Sequence, residues 1–120
     1  MIEFLPQSHD NVFGIKAVGK VTKEDYETIL IPKVNELLAA NETVKALYYL
    51  SEEFEGFELG AMWDDAKYLG GHSDRFSKIA LVGGPKWMEI GTKITGAFMK
   101  TEVETFESDK LPEAWTWLDE

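Results

Sequence analysis

The chain has 120 residues, 22 acidic against 12 basic, a formal charge of −10 and no cysteine. That length fits one domain, residues 1–120, with a core large enough to need no disulfide or metal staple. The missing thiols exclude disulfides, cysteine nucleophiles and thiolate-held metal or iron–sulfur centres. The negative charge repels the phosphate backbone of nucleic acid and anionic lipid headgroups. A hydrophobic fraction of 44% is that of a folded chain. No apolar run reaches the ~20 residues that span a bilayer, so no stable membrane insertion is expected. The opening MIEFLPQSHD lacks the basic start and long apolar stretch of a secretory signal. A cytoplasmic protein is the expectation.

In chain order, Ile2, Phe4 and Leu5 predict a short edge strand ended by Pro6, and His9-Asp10-Asn11 predict a turn. Residues 12–20, VFGIKAVGK, read as a second strand, antiparallel to the first. Thr22 with Asp25 makes a capping-box pattern that opens a helix. Tyr26, Ile29, Leu30, Val34, Leu37 and Leu38 define its apolar face, Pro32 predicts a kink or a local break, and Asn41 closes it. The unbroken apolar run Ala46-Leu47-Tyr48-Tyr49-Leu50 predicts a strand from about Val44 to Leu50, covered on both faces at the centre of the sheet. An acidic loop, Ser51-Glu52-Glu53-Phe54-Glu55-Gly56, is expected to leave its carboxyl end, where open α/β sheets usually meet ligands and partners.

A second helix is predicted from Phe57, with Leu59, Met62, Ala66 and Leu69 on one face and Trp63 beside it, ending at Gly70-Gly71. Residues 78–82, KIALV, predict another buried strand. A third helix follows Gly83-Gly84-Pro85, with Trp87, Gly91, Ile94 and Phe98 sharing a face. The alternation in TEVETF, 101–106, predicts a half-covered strand. Asp109 is placed to cap a last helix that turns Leu111, Ala114, Trp115 and Leu118 inward. The order β-β-α-β-α-β-α-β-α specifies an α/β domain: a mixed, mostly parallel sheet of four or five strands with helices packed on it.

Four stretches carry a resemblance: GKVTKEDYETILIPKV at 19–34, ALYYLSEEFEGFELGAMWDD at 46–65, FSKIALVGGPKWM at 76–88 and VETFESDKLPEAWTWL at 103–118. Together they make the chain resemble the SpoIIAA-like family of small bacterial proteins of unknown function. That family is akin in fold to STAS domains, the anti-sigma-factor antagonists, and to lipid-binding CRAL-TRIO domains. The resemblance implies a mixed sheet with packed helices, and no reaction. In STAS regulators a serine in the loop after the central strand is phosphorylated by a partner kinase. Ser51 is the positional match. Its surroundings depart from the regulators' short Asp-Ser/Thr-Ser-Gly loop, and phosphate beside Glu52, Glu53 and Glu55 would meet like charge.

Asp64 and Asp65 are adjacent on the second helix, so their carboxylates point about 100° apart and do not converge on one metal or proton. His72 could approach Asp65 as a polar pair, but no nucleophile motif accompanies it, and a histidine after Gly70-Gly71 suits a helix end. His9 and His72 are too far apart in sequence for a zinc spacing, so no metal or other cofactor is implied. Gly83-Gly84-Pro85-Lys86 is neither a Walker loop nor a dinucleotide fingerprint. The four tryptophans and four methionines are the chain's excess. Helices two and three lying side by side would let Met62, Trp63, Trp87, Met88 and Phe98 line an apolar groove.

Three functions are then in play. The first is a non-enzymatic domain that binds an apolar small molecule or lipid in that groove, or uses it as a homodimer interface. The second is a STAS-like regulatory module whose segment Ser51, Glu52, Glu53, Phe54 meets a basic protein partner. The third, and weakest, is a small hydrolase or isomerase using His72 and an aspartate.

Overall fold

A computed structural model describes residues 1–58, 75–83 and 102–120. These form strands β1 (Ile2–Phe4), β2 (Val12–Val21), β3 (Val44–Phe57), β4 (Phe76–Gly83) and β5 (Glu102–Phe106). Helix α1 (Lys23–Asp25), a π-helical turn (Tyr26–Leu30) and helix α2 (Ile31–Ala40) join β2 to β3. A 3₁₀ turn (Ser108–Lys110) leads into helix α3 (Leu111–Asp119). The strands make one sheet in the order β1-β2-β3-β4-β5. β1 runs antiparallel to β2, and β2, β3, β4 and β5 are parallel. The α/β class, the mixed sheet and the opening antiparallel pair are those the sequence specifies. The predicted second and third helices, with Met62, Trp63, Asp64, Asp65, His72, Trp87, Met88 and Phe98, lie outside the described residues.

Successive residues of a strand face opposite sides of the sheet, and here both sides are apolar. One side carries Phe13, Ile15, Ala46, Leu50, Ile79 and Leu81, packed with Tyr26, Leu30 and Val34 of the first helical segment. The other carries Val12, Leu47, Ala80 and Val82, packed with Ala114, Trp115 and Leu118 of α3. Val44, Ala46 and Leu47 at the start of β3 have no exposed surface. An apolar run without alternation is what a strand with two covered faces requires.

Small residues let the covering layer approach. Gly14 lies beneath Trp115, and a Cβ there would stand 2.6 Å from the indole Cη2. Bonds from side chains to helix ends lock the layers together. The Arg75 guanidinium, just before β4, donates to the carbonyls of Leu38 (2.9 Å), Asn41 (3.0 Å) and Glu42 at the end of α2. Lys45 Nζ donates to Leu118 O (2.6 Å), and Lys78 Nζ to Trp117 O (3.0 Å) while lying 4.9 Å from the Trp117 ring centre. Cations at the carbonyl end of a helix satisfy orphan acceptors and oppose the helix dipole.

Three expectations are refined or corrected by local chemistry. The local break expected at Pro32 takes the form of a π turn just ahead of it. Pro32 has no N–H to give to Thr28, and its ring crowds the Thr28 carbonyl. The chain widens instead, and Ile31 N–H reaches back to Tyr26 O. Asp109 does not cap α3: it sits in the 3₁₀ turn, and the cap position is Lys110, with no side-chain bond. The third correction is the largest. The acidic loop expected at Ser51–Gly56 is strand, and Phe57 ends β3 rather than starting a helix. Serine, glutamate and glycine in a row read as a turn. Here Gly19 (φ +63°) and Gly56 (φ +117°) take backbone conformations open to glycine, and they fall where the β2–β3 register slips. Bulges absorb the extra residues, and pairing continues to Val21↔Phe57.

The contact beneath Trp115 yields a stability test. Gly14→Ala should push α3 off the sheet and lower the urea midpoint at unchanged slope, a loss of about 1–3 kcal/mol. Adding Trp115→Leu to the same chain should recover part of that loss.

Candidate functional site

The carboxyl end of the parallel sheet is uneven. The last β3–β4 pair is Leu50↔Gly83, whereas β3 pairs with β2 again at Phe54, Gly56 and Phe57, past a bulge at 51–53. Among the described residues this leaves a two-stranded ribbon extending past the end of β4. Gly83 marks that end: its φ is +78°, and a Cβ there would stand 2.7 Å from Leu50 O.

Side chains of the ribbon divide by role. Phe54 turns inward and packs against the core under the first helical segment. The Ser51 hydroxyl donates to Ala17 O at 2.9 Å, across the register slip. Glu52, Glu53 and Glu55 are exposed, with Lys20 of β2 exposed beside them. The ribbon therefore presents three carboxylates on a bulged strand that β2 pins at Phe54, Gly56 and Phe57, where a free loop would carry the same charges on a moving chain.

The ribbon is anchored where α1 begins. Glu58 N–H donates to Val21 O (2.8 Å), and Lys23 N–H reaches Glu58 Oε1 (3.4 Å). Thr22 and Asp25 form the capping box expected from the sequence: Asp25 N–H donates to Thr22 Oγ1 (3.1 Å) and Thr22 N–H to Asp25 Oδ2 (2.9 Å). The Met1 amino group lies 3.2 Å from the same Oδ2. Burial alone would push the Asp25 carboxyl up. The Thr22 N–H, the Met1 ammonium and the Thr22 hydroxyl outweigh it and hold Asp25 below the usual carboxylate range.

Ser51, Glu52, Glu53 and Phe54 thus share one element, although only the glutamates face solvent. Asp65 and His72, like the five residues of the apolar groove, lie outside the described residues. Two features were missed in the sequence. One is the Met1–Asp25 contact. The other is a bond between His9 and Asp119, which are 110 residues apart, a separation at which no local spacing signals a pair. Among the described residues no group of three His, Cys, Asp or Glu could hold a metal ion, and no helix is long and apolar enough to cross a membrane.

A sequential parallel sheet with a helical crossover on one face and a closing helix on the other defines an α/β domain of the STAS-like kind. The chain belongs to the SpoIIAA-like family, whose model matches residues 12–119. It is similar to a solved structure from Shewanella loihica PV-4, an uncharacterised protein of the DUF3478 family with a SpoIIAA-like fold. The two share 32% identity with a TM-score of 0.77, over 98% of this chain and 92% of that one. No curated protein matches the chain.

Because Asp25 titrates below the usual range, its contribution is complete above that range and disappears as pH falls through its folded value. Asp25→Ala should cost about 1 kcal/mol at pH 7. In urea titrations across pH, the gap to the parent chain should close on acidification. A constant gap would show that its electrostatic role is absent.

Proposed function

We propose that this chain is a non-enzymatic interaction module that docks a basic protein partner on the β2–β3 ribbon. One observation carries the reading: residues 51–57 extend beyond β4 and expose Glu52, Glu53 and Glu55 on a bulged strand that β2 pins at Phe54, Gly56 and Phe57. Fixed like charges steer a cationic partner and set its register without themselves supplying much affinity. Phe54 adds nothing to that surface, since it packs against the core.

Phosphorylation of Ser51 has no place in this reading. Its hydroxyl is already given to Ala17 O, and a phosphate would stand next to Glu52 and Glu53. The reaction chemistry suggested by His72 and an aspartate, and the apolar groove of Met62, Trp63, Trp87, Met88 and Phe98, draw no support from the described residues. The groove stays as the competing outcome of the test.

The test uses the gently purified full chain. In native mass spectrometry, extra mass of a few hundred daltons that organic solvent removes would replace the ribbon by the apolar-ligand reading. Without such mass, the parent chain and Glu52→Lys/Glu53→Lys/Glu55→Lys are compared as baits. A basic partner should be held by the parent chain, released as salt rises, and lost from the variant, whose melting should shift little because the three side chains are exposed. Equal retention by both would reject the ribbon as the docking surface.

A further inference from the structure

At the end of the molecule where β2 begins, His9 adds a polar bond between two parts of the chain that also pack through Val12, Trp115 and Leu118. Its Nδ1 lies 2.7 Å from Gln7 O and its Nε2 lies 2.7 Å from Asp119 Oδ1. A carbonyl and a carboxylate can only accept. A neutral imidazole has one N–H, so it would set a lone pair against one of these oxygens, whereas the imidazolium donates to both. The His9 ring lies against Trp115, with centroids 6.3 Å apart, and Trp115 in turn covers Gly14. The turn itself is tight: His9 and Val12 exchange both backbone bonds (2.9 and 2.8 Å), and Asp10 between them has φ 50°.

The charged groups on the adjoining elements are accounted for. Asp10 lies in the turn, and Asp119 and Glu120 end α3. Lys45 on β3 is engaged with Leu118 O, and Lys78 on β4 with the carbonyls of Trp117 and Glu120. Both lysines thus serve carbonyls of the last turn, and the Asp119 carboxylate is bonded by His9.

We propose that His9 is a proton-operated latch that fastens the turn before β2 to the end of α3 and loosens on alkalinisation. Loss of one proton leaves a single N–H for two acceptors: either the Asp119 bond is lost, or it is kept by a ring no longer held in place by Gln7 O. The Gln7 carbonyl first, then the Asp119 bond, raises His9 above the ordinary histidine value. A raised group lends its stabilisation fully below the unfolded value and loses it as pH rises through the folded one. Release therefore falls on the alkaline side of the usual histidine titration, opposite to acid-triggered histidine switches.

Ring resonances of the full chain, followed by NMR across pH with His72→Gln to assign the two histidines, test the latch. Backbone exchange at His9 and Val12, corrected for intrinsic rates, is measured in parallel. His9 should titrate above about 6.5. Asp119→Asn should move it down, and exchange at His9 and Val12 should quicken severalfold as pH rises through the transition, and at every pH in Asp119→Asn. Titration at or below that value, no response to Asp119→Asn, or exchange indifferent to both would overturn the latch.

Discussion

The burial of β3 on both faces is the constraint from which the rest follows. A strand with no exposed surface at Val44, Ala46 and Leu47 needs neighbours on both edges and cover above and below. β2 and β4 supply the edges, and the first helical segment and α3 supply the cover. Fully burying one side chain of valine or leucine size stabilises by about 1.5–3 kcal/mol. The alternating sets on β2, β3 and β4 therefore hold the domain together more firmly than its surface ion pairs, which are worth about 0–1 kcal/mol each. The polar contacts have a different task. Arg75, Lys45 and Lys78 close helix ends, and so fix how far each helix slides along the sheet.

The same strand changes character along its length. Up to Leu50 it is core, and from Ser51 it is a surface ribbon that bulges at 51–53 and pairs with β2 again from Phe54. Rigidity and charge therefore meet in one element. A carboxylate row on a paired strand loses less conformational entropy on docking than the same row on a free loop. It also faces a sharper limit on what it fits, since spacing and direction are already set.

Much of this fold is legible in the residue pattern. The unbroken run 46–50 marked the central strand, the alternation in 101–106 an outer one, and Thr22 with Asp25 the start of a helix. What escaped had a common cause: a local signal was overridden by partners distant in sequence. Ser51-Glu52-Glu53 and Gly56 have turn chemistry, yet β2 holds them as strand, because positive φ at Gly19 and Gly56 lets the ladder bulge and continue. Asp109 has cap chemistry, yet the 3₁₀ turn delays the helix past it. The bond between His9 and Asp119 depends wholly on the fold, and nothing near either residue announces it. The candidate site was visible as composition and invisible as geometry.

The π turn ahead of Pro32 bears on how this segment counts residues. Tyr26, Leu30 and Val34 are all buried and all four apart. A regular α-helix overshoots a full turn by about 40° every four residues, so the row would wind away from the strands beneath it. The wider π turn, closed from Ile31 to Tyr26, takes up that overshoot at the first step. One residue is thereby spent on phase rather than length. A chain with one residue fewer between Tyr26 and Leu30 could fill the same turn as plain α-helix and keep the later residues on the same face, provided that no proline withheld the N–H. The extra residue and Pro32 thus form a single specification: the proline removes a bond that a plain turn would use, and the added residue lets the turn close without it.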